Sequence, residues 1–134
     1  MERKKSIKSV LNLEKLVFDK IEFIREGLKN DDTEIDFEIQ TVISKRQHDE
    51  MYRVNLELLG NKEKEYKLTV ALSGFFTFDE AEKLTEQEKE VLINKNAVAI
   101  LMPYLRSEVS LLTAQPEVEC VVLPPFNINK MMED

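Results

Sequence analysis

The chain carries few side chains suited to covalent or proton-transfer chemistry, and their spacing gives them no common task. Its one histidine, His48, stands beside Asp49 and Glu50 in a polar stretch, and its one cysteine, Cys120, lies far along the chain. A zinc site draws three or four ligands at motif spacing, which this pair does not supply. No metal site is expected. A lone histidine in a polar turn is ordinarily inert. Glu86, Glu88 and Glu90 read as a solvated helix face, not as a paired acid and base. Three glycines cannot build a phosphate-cradling loop or a dinucleotide pattern, and no Ser/His/Asp order is present. The residues predict a protein that is not an enzyme.

The chemistry that remains is apolar recognition. Residues 96–126, NAVAILMPYLRSEVSLLTAQPEVECVVLPPF, are the most apolar part of a charged chain. Val98, Leu101, Met102, Leu105, Val109 and Leu112 recur at spacings of three and four, the mark of one buried helical face. Pro103 removes a backbone donor aimed at Ala99, which predicts a kink or a helix that starts late. Gln115 before Pro116 ends the element. The run VECVVLPPF, residues 118–126, is too short for a helix, and its double proline excludes a central strand beyond Leu123. Such a segment has to be covered by the sheet, a second subunit or a ligand. The expected arrangement lays residues 116–126 over the helix, above a groove floored by Leu101, Leu105 and Leu112, with Phe75 and Phe78 closing one end. The candidate groove residues are Phe75, Phe76, Phe78, Leu101, Leu105, Leu112, Val118, Val121, Leu123 and Phe126. Plain core packing is the competing reading for the phenylalanines 75, 76 and 78 and for the valine-rich run.

The elements that position this stretch are legible as alternation. In residues 16–25, Val17, Ile21 and Phe23 share one parity while Phe18 and Ile24 take the other, so a bulge or an edge strand is expected near Asp19 and Lys20. Ile35, Phe37, Ile39 and Ile43 alternate with Asp36, Glu38 and Gln40, as in a half-buried antiparallel strand. Tyr52, Val54, Leu56 and Leu58 repeat the period, and Gly60–Asn61 with Lys62 and Glu63 reads as a hairpin loop. Tyr66, Leu68, Val70 and Leu72 follow, until Ser73–Gly74 suggests a bend that re-aims the phenylalanines. Thr85 and Glu88 form a capping box opening a short helix to about Asn94. Four strands and then helices predict an α+β fold, with helices packed on one face of a four-stranded antiparallel sheet. The expected organisation is one domain over residues 1–134: a basic segment to residue 15, the sheet over 16–78, and helices with a crossover loop over 79–134.

With 134 residues and a formal charge of −7, a broad nucleic-acid surface is not expected, since that needs a basic face. A single cysteine fits a reducing compartment. The basic N-terminus precedes no apolar region of signal length, and no stretch reaches the length of a membrane span. A cytoplasmic location is expected.

The residues also carry a family resemblance. GFFTF at 74–78, closing a strand, resembles the strand end of SecB-type protein-export chaperones. ILMPYLRSE at 100–108 is similar to that family's LFPYxRE signature, with Met102 in place of phenylalanine and one residue inserted before the glutamate. LPPFN at 123–127 is similar to its (A/P)P(V/I)N(F/V) element, and the similarity extends over most of residues 16–131. The resemblance implies the α+β fold and a homotetramer built as a dimer of dimers. It implies an ATP-independent holdase that binds unfolded polypeptides in long apolar grooves and keeps preproteins export-competent, with no cofactor. Some SecB-like proteins instead protect the antitoxin of a toxin–antitoxin system. Two departures bear on the translocation motor SecA. Family members that deliver cargo to it carry acidic residues on the outer sheet face, where this chain has Lys20, Ile24, Lys67 and Thr69; and the family's last helix and tail shrink here to residues 127–134. Delivery to SecA is expected to be weak or absent. Self-association is expected, because an irregular edge strand and a helix apolar on more than one face exceed what one sheet covers.

Overall fold

The structure is a computed structural model that describes residues 10–46, 48–79 and 83–124. Four strands, β1 (Leu11–Arg25), β2 (Ile35–Arg46), β3 (Met51–Lys62) and β4 (Tyr66–Phe78), precede a helical arm. The arm consists of α1 (Glu86–Leu92), a five-residue π-helical segment (Ile93–Ala97) and α2 (Val98–Thr113). The sheet is antiparallel throughout, in the order β1-β4-β3-β2, so β1 and β2 are its edges. The α+β class and the sheet are as expected.

Register explains the broken alternation of β1. The strand slips against β4 between Leu13 and Lys15 and again between Phe18 and Lys20. The extra residues, Glu14 and Asp19, reverse the parity. Phe18, opposite Leu72, therefore shares the inner face with Ile21, opposite Val70, and Phe23, opposite Leu68, while Val17 turns outward. Asp19 anchors its bulge by accepting from Ser73 Oγ at 2.5 Å and Asn55 Nδ2 at 3.0 Å. The strand also begins at Leu11, five residues before its expected start, because Leu11 and Leu13 continue the inner face inside the basic segment.

Two glycines serve packing rather than turning. Gly60 lies inside β3; the loop after it is residues 63–65, with Lys64 in the left-handed region at φ 68°. A Cβ at Gly60 would stand 3.1 Å from the Phe37 ring and 3.0 Å from Leu68. Gly74 makes no bend, since β4 continues through it, paired on both sides. A Cβ there would meet Leu101 at 2.7 Å, so Gly74 is where α2 comes down onto the sheet. Gly27 is tighter still. Its N–H donates to the Glu65 carbonyl at 3.1 Å, and a Cβ would stand 2.2 Å from the Lys64 carbonyl oxygen. Backbone cannot move aside as a side chain can, so Gly27→Ala should destabilise by about 1–3 kcal/mol, read by denaturant unfolding.

Thr85 caps α1 as the sequence predicts: Glu88 N–H donates to Thr85 Oγ at 3.1 Å, and Thr85 N–H to Glu88 Oε1 at 3.0 Å. Pro103 sits within α2 without ending it. Pro103 and Ala99 are both exposed, so the carbonyl left without a donor lies on the solvent side. The late start is not seen: α2 begins at Val98, five residues before Pro103, and follows on directly from the π segment. Val98, Leu101, Met102, Leu105, Val109 and Thr113 are buried, packed on the inner rows Tyr52-Val54-Leu56-Leu58 and Tyr66-Leu68-Val70-Leu72. Thr113 takes the innermost place expected for Leu112, which is only half-buried.

Candidate functional site

Geometry leaves the sheet half-covered. Strands lie about 4.8 Å apart and a helix with its side chains is about 10 Å wide, so one helix roofs about two strands. Here α2 packs on β3 and β4. The inner faces of both edges are left part-open: Ile35, Phe37, Ile39 and Ile43 on β2, and Leu13, Leu16, Phe18 and Phe23 on β1, with Ile21 46 % exposed. The two edges differ. β1 is bulged twice, whereas β2 pairs with β3 in unbroken register along its whole length and leaves its other backbone edge open.

The segment after α2 borders the β2 flank. It turns at Glu117, φ 63°, and runs without regular structure to Pro124. Helix side chains hold its backbone. Arg106 Nε donates to the Leu123 carbonyl at 3.1 Å, Ser110 Oγ donates to the Val121 carbonyl at 2.8 Å, and Val121 N–H donates to Thr113 Oγ at 2.8 Å. Residues 106, 110 and 113 share one helical face by their spacing. Arg25 reaches from β1 to the Glu117 carbonyl at 2.9 Å. Val118 and Leu123 are buried plugs at the two ends. Thr113→Val keeps the shape and removes the acceptor, leaving Val121 N–H unpaired. The expected cost is about 1–3 kcal/mol in thermal or denaturant unfolding, with faster amide exchange over residues 118–123.

Open space lies on both sides of this segment. A cleft of about 640 Å³ separates it from the outer face of α2, lined by Pro103, Arg106, Ser107, Leu111 and Val122 among others. A cavity of about 320 Å³ separates it from the start of β2, with Ile35, Tyr66 and Val121 as apolar walls. Lys62 and Glu65 line that cavity and pair at 2.5 Å, with Glu65 only 1 % exposed. Asn30 completes the knot: its carbonyl accepts from Lys62 Nζ at 2.5 Å and its N–H donates to Glu65 at 2.9 Å. Burial raises the Glu65 carboxyl, but the Lys62 ammonium and the Asn30 N–H outweigh it and hold the group below its usual range. Burial pushes the Tyr66 hydroxyl up, aided by the charges of Glu65 and Glu119.

The expected groove residues are divided among different places. Leu101, Leu105 and Phe76 are fully buried and cannot floor an open groove, because α2 presses this face onto the sheet. Val118 and Leu123 belong to the same core. Phe75 lies on the outer face, between Lys15 and Arg53 at 5.8 and 5.9 Å, on the far side of the sheet from α2. Phe78, Leu112 and Val121 are half-buried on the helix side, while Phe126 falls outside the described residues. The β2 stripe was missed as a site. Its signal is in the sequence, since the most regular alternation belongs to a strand whose inner face one helix cannot reach.

Among the described residues, no group of three or more His, Cys, Asp or Glu side chains is placed to hold a metal ion. No helix among them is long and apolar enough to cross a membrane.

No family model matches the chain. An uncharacterised protein of Methanocaldococcus jannaschii is 41 % identical over 66 residues, which is 48 % of this chain and 40 % of that protein's length. A Streptococcus agalactiae protein of unknown function superposes with a TM-score of 0.43 at 12 % identity, covering 85 % of this chain and 96 % of that one. The SecB-like chaperone of Mycobacterium tuberculosis, solved with a ChAD peptide from the HigA1 antitoxin, superposes with a TM-score of 0.71 at 13 % identity, covering 87 % of this chain and 91 % of that one. This chain has a SecB-like fold. On the outer face of the SecB-like sheet, Lys20 and Lys67 are exposed but not free. Lys20 lies 3.9 Å from Glu22 and Lys67 lies 3.8 Å from Glu26. The face is therefore charge-balanced at these two points rather than positive.

Proposed function

We propose that the protein is a SecB-like chaperone, a cytoplasmic, ATP-independent holdase for unfolded polypeptides. The observation that carries this reading is the half-roofed sheet: an apolar stripe, Ile35, Phe37, Ile39 and Ile43, runs along a free, unbulged edge strand beside the crossover segment. Apolar pockets accept side chains of any sequence, and an open strand edge accepts an extended main chain, which is equally sequence-independent. Contiguous apolar surface on a chain this charged calls for a partner. Clients are assigned to the β2 flank, because the bulges of β1 disfavour adding a strand there.

Self-association is assigned to the bare β1 flank and to the outer face of α2 with the segment beside it, where Leu111 is 68 % and Val122 77 % exposed. A homotetramer is the expected assembly. Light scattering that reports a stable 15.7 kDa monomer at micromolar concentration contradicts it. Substituting Leu111 by Glu should lower the oligomeric mass while leaving the circular dichroism spectrum unchanged.

The deciding experiment is suppression of aggregation of several unrelated unfolded proteins. Broad suppression at stoichiometric chaperone supports the holdase, with preproteins among its clients. Suppression of one client alone supports a second reading, a chaperone dedicated to an antitoxin, which the peptide held by the M. tuberculosis neighbour favours. Suppression of none defeats both. Calorimetry is expected to show weak or no binding to SecA, since none of residues 20, 24, 67 and 69 on the outer face is acidic; tight, salt-sensitive binding refutes that.

A further inference from the structure

The short helix α1 has no buried residue; of its two apolar side chains, Val91 is 54 % exposed and Leu92 is half-buried. Charge draws it toward the sheet. Glu86 Oε2 lies 3.0 Å from Lys45 Nζ, and Lys45 lies 3.8 Å from Glu50 Oε1. Glu50 lies 3.4 Å from Lys89 Nζ, and Lys89 closes the ring at 3.7 Å from Glu86 Oε1. Four charges of alternating sign thus join α1 to the end of β2 and to the β2–β3 turn, where Glu50 sits in the left-handed region at φ 52°. The two ammonium groups lie over an aromatic pair: Lys45 is 5.6 Å from the Tyr52 ring and Lys89 is 5.8 Å from the Phe78 ring. Those rings meet edge to face at 5.6 Å. Beside them, Phe78, Lys89, Glu50 and Thr77 border an open cleft of about 710 Å³.

We propose that α1 is a lid held shut by this ring of charges, and that lifting it uncovers Tyr52 and Phe78 as an aromatic subsite for a bound polypeptide. The second half rests on the chaperone reading above. The physical case is one of contrast. α1 is the first two turns of a helical arm that continues through Ile93 and Ala97 in helical conformation, and the end turns of a helix are the ones that fray. Apolar burial does not fasten α1, and exposed ion pairs are weak and screened by salt. Its C-terminal neighbour is fixed, because Ile93 and Ala97 of the π segment are fully buried. The arm is therefore anchored by burial at Ile93 and Ala97, while its first two turns are held by an ionic catch and open by unwinding from the Thr85 end. A catch of this kind yields to a client that brings its own charges of either sign.

Amide hydrogen exchange on the whole chain tests the lid. From low salt to about 1 M, where screening shortens to about 3 Å, exchange over residues 86–92 should accelerate about tenfold or more while β3 and β4 stay protected. Lys45→Glu should open the lid at low salt, and Lys45→Glu combined with Glu86→Lys should close it again. Exchange over residues 86–92 that is indifferent to salt and to the charge swap overturns the lid. Gating is read separately, by suppression of aggregation of an unfolded reporter. The opened single variant should suppress several-fold more strongly than the re-closed double variant. Equal suppression with the lid demonstrably open overturns the gating. If no form suppresses, wild type included, the chaperone reading falls and the gating with it, and the exchange result alone decides the lid.

Discussion

Leu105→Ala is expected to lower stability by about 2–5 kcal/mol, and the melting temperature by roughly 10 °C, while leaving client affinity per folded molecule unchanged. Leu105 is fully buried where α2 meets the sheet, so truncation leaves a cavity that the paired strands beneath cannot collapse to fill. Ile39→Ser and Ile43→Ser on the half-covered β2 edge are expected to show the opposite balance. Each should weaken binding of an unfolded reporter by roughly 1–2 kcal/mol, in line with partial loss of a buried aliphatic group. Their cost in stability should be the smaller, because one side of each is already open. Melting curves and equilibrium titrations on the same three variants separate the two surfaces. If Leu105→Ala loses client affinity while Ile39→Ser keeps it, clients bind on the helix side and the β2 assignment is wrong.

Lys62→Met is expected to cost about 3–5 kcal/mol, because it leaves the Glu65 carboxylate buried without its cation. The pH dependence carries the sharper test. In the wild type, Glu65 is held below its usual value of 4.5, so its contribution is present above that pH and is lost as the pH falls through the lowered value. Without Lys62, burial dominates and the folded carboxyl titrates above the unfolded one. The sign then reverses, and the variant should lose stability as the pH rises from about 4.5 toward neutrality. Urea unfolding at several pH values reads both slopes. Parallel curves for wild type and variant would mean that the pair is open to water and carries little. Glu65→Gln keeps an acceptor for Lys62 and the shape of the knot, and should remove most of the pH dependence.

The strands were legible because alternation is a local signal, and the bulge at Asp19 showed itself as a change of parity. Gly60 and Gly74 were misread for a definite reason. A missing side chain permits a turn, and it equally permits a neighbour to come close; only the positions of Phe37 and Leu101 tell which. The helix stripe is buried as its spacing predicts, but burial by the sheet and burial by a client leave the same pattern in the sequence, so nothing local tells Leu101 and Leu105 in a core from the same residues in a groove. Phe75 faces away from α2 because β4 runs through Gly74 without the expected bend. Lys62, Glu65 and the four charges around α1 lie in stretches that read as solvated. What binds both of the first two is Asn30, and what closes the ring is Glu50, a residue in another turn. Such meetings are set by topology rather than by any local pattern.

The strand order also sets a schedule. β2, β3 and β4 are joined by two tight hairpins and can pair as soon as each is made, but β1 pairs only with β4. On a ribosome β1 is the first strand to emerge and the last to find its partner, and long-range pairing of this kind is slow. For that interval Leu13, Leu16, Phe18 and Phe23 travel on a strand with both edges bare. The two inserted residues then do a second service, since a strand whose parity changes twice offers no long regular ladder to a neighbouring nascent chain. The same irregularity that marks β1 as an edge in the folded sheet thus shields it during the time when it has no sheet to belong to.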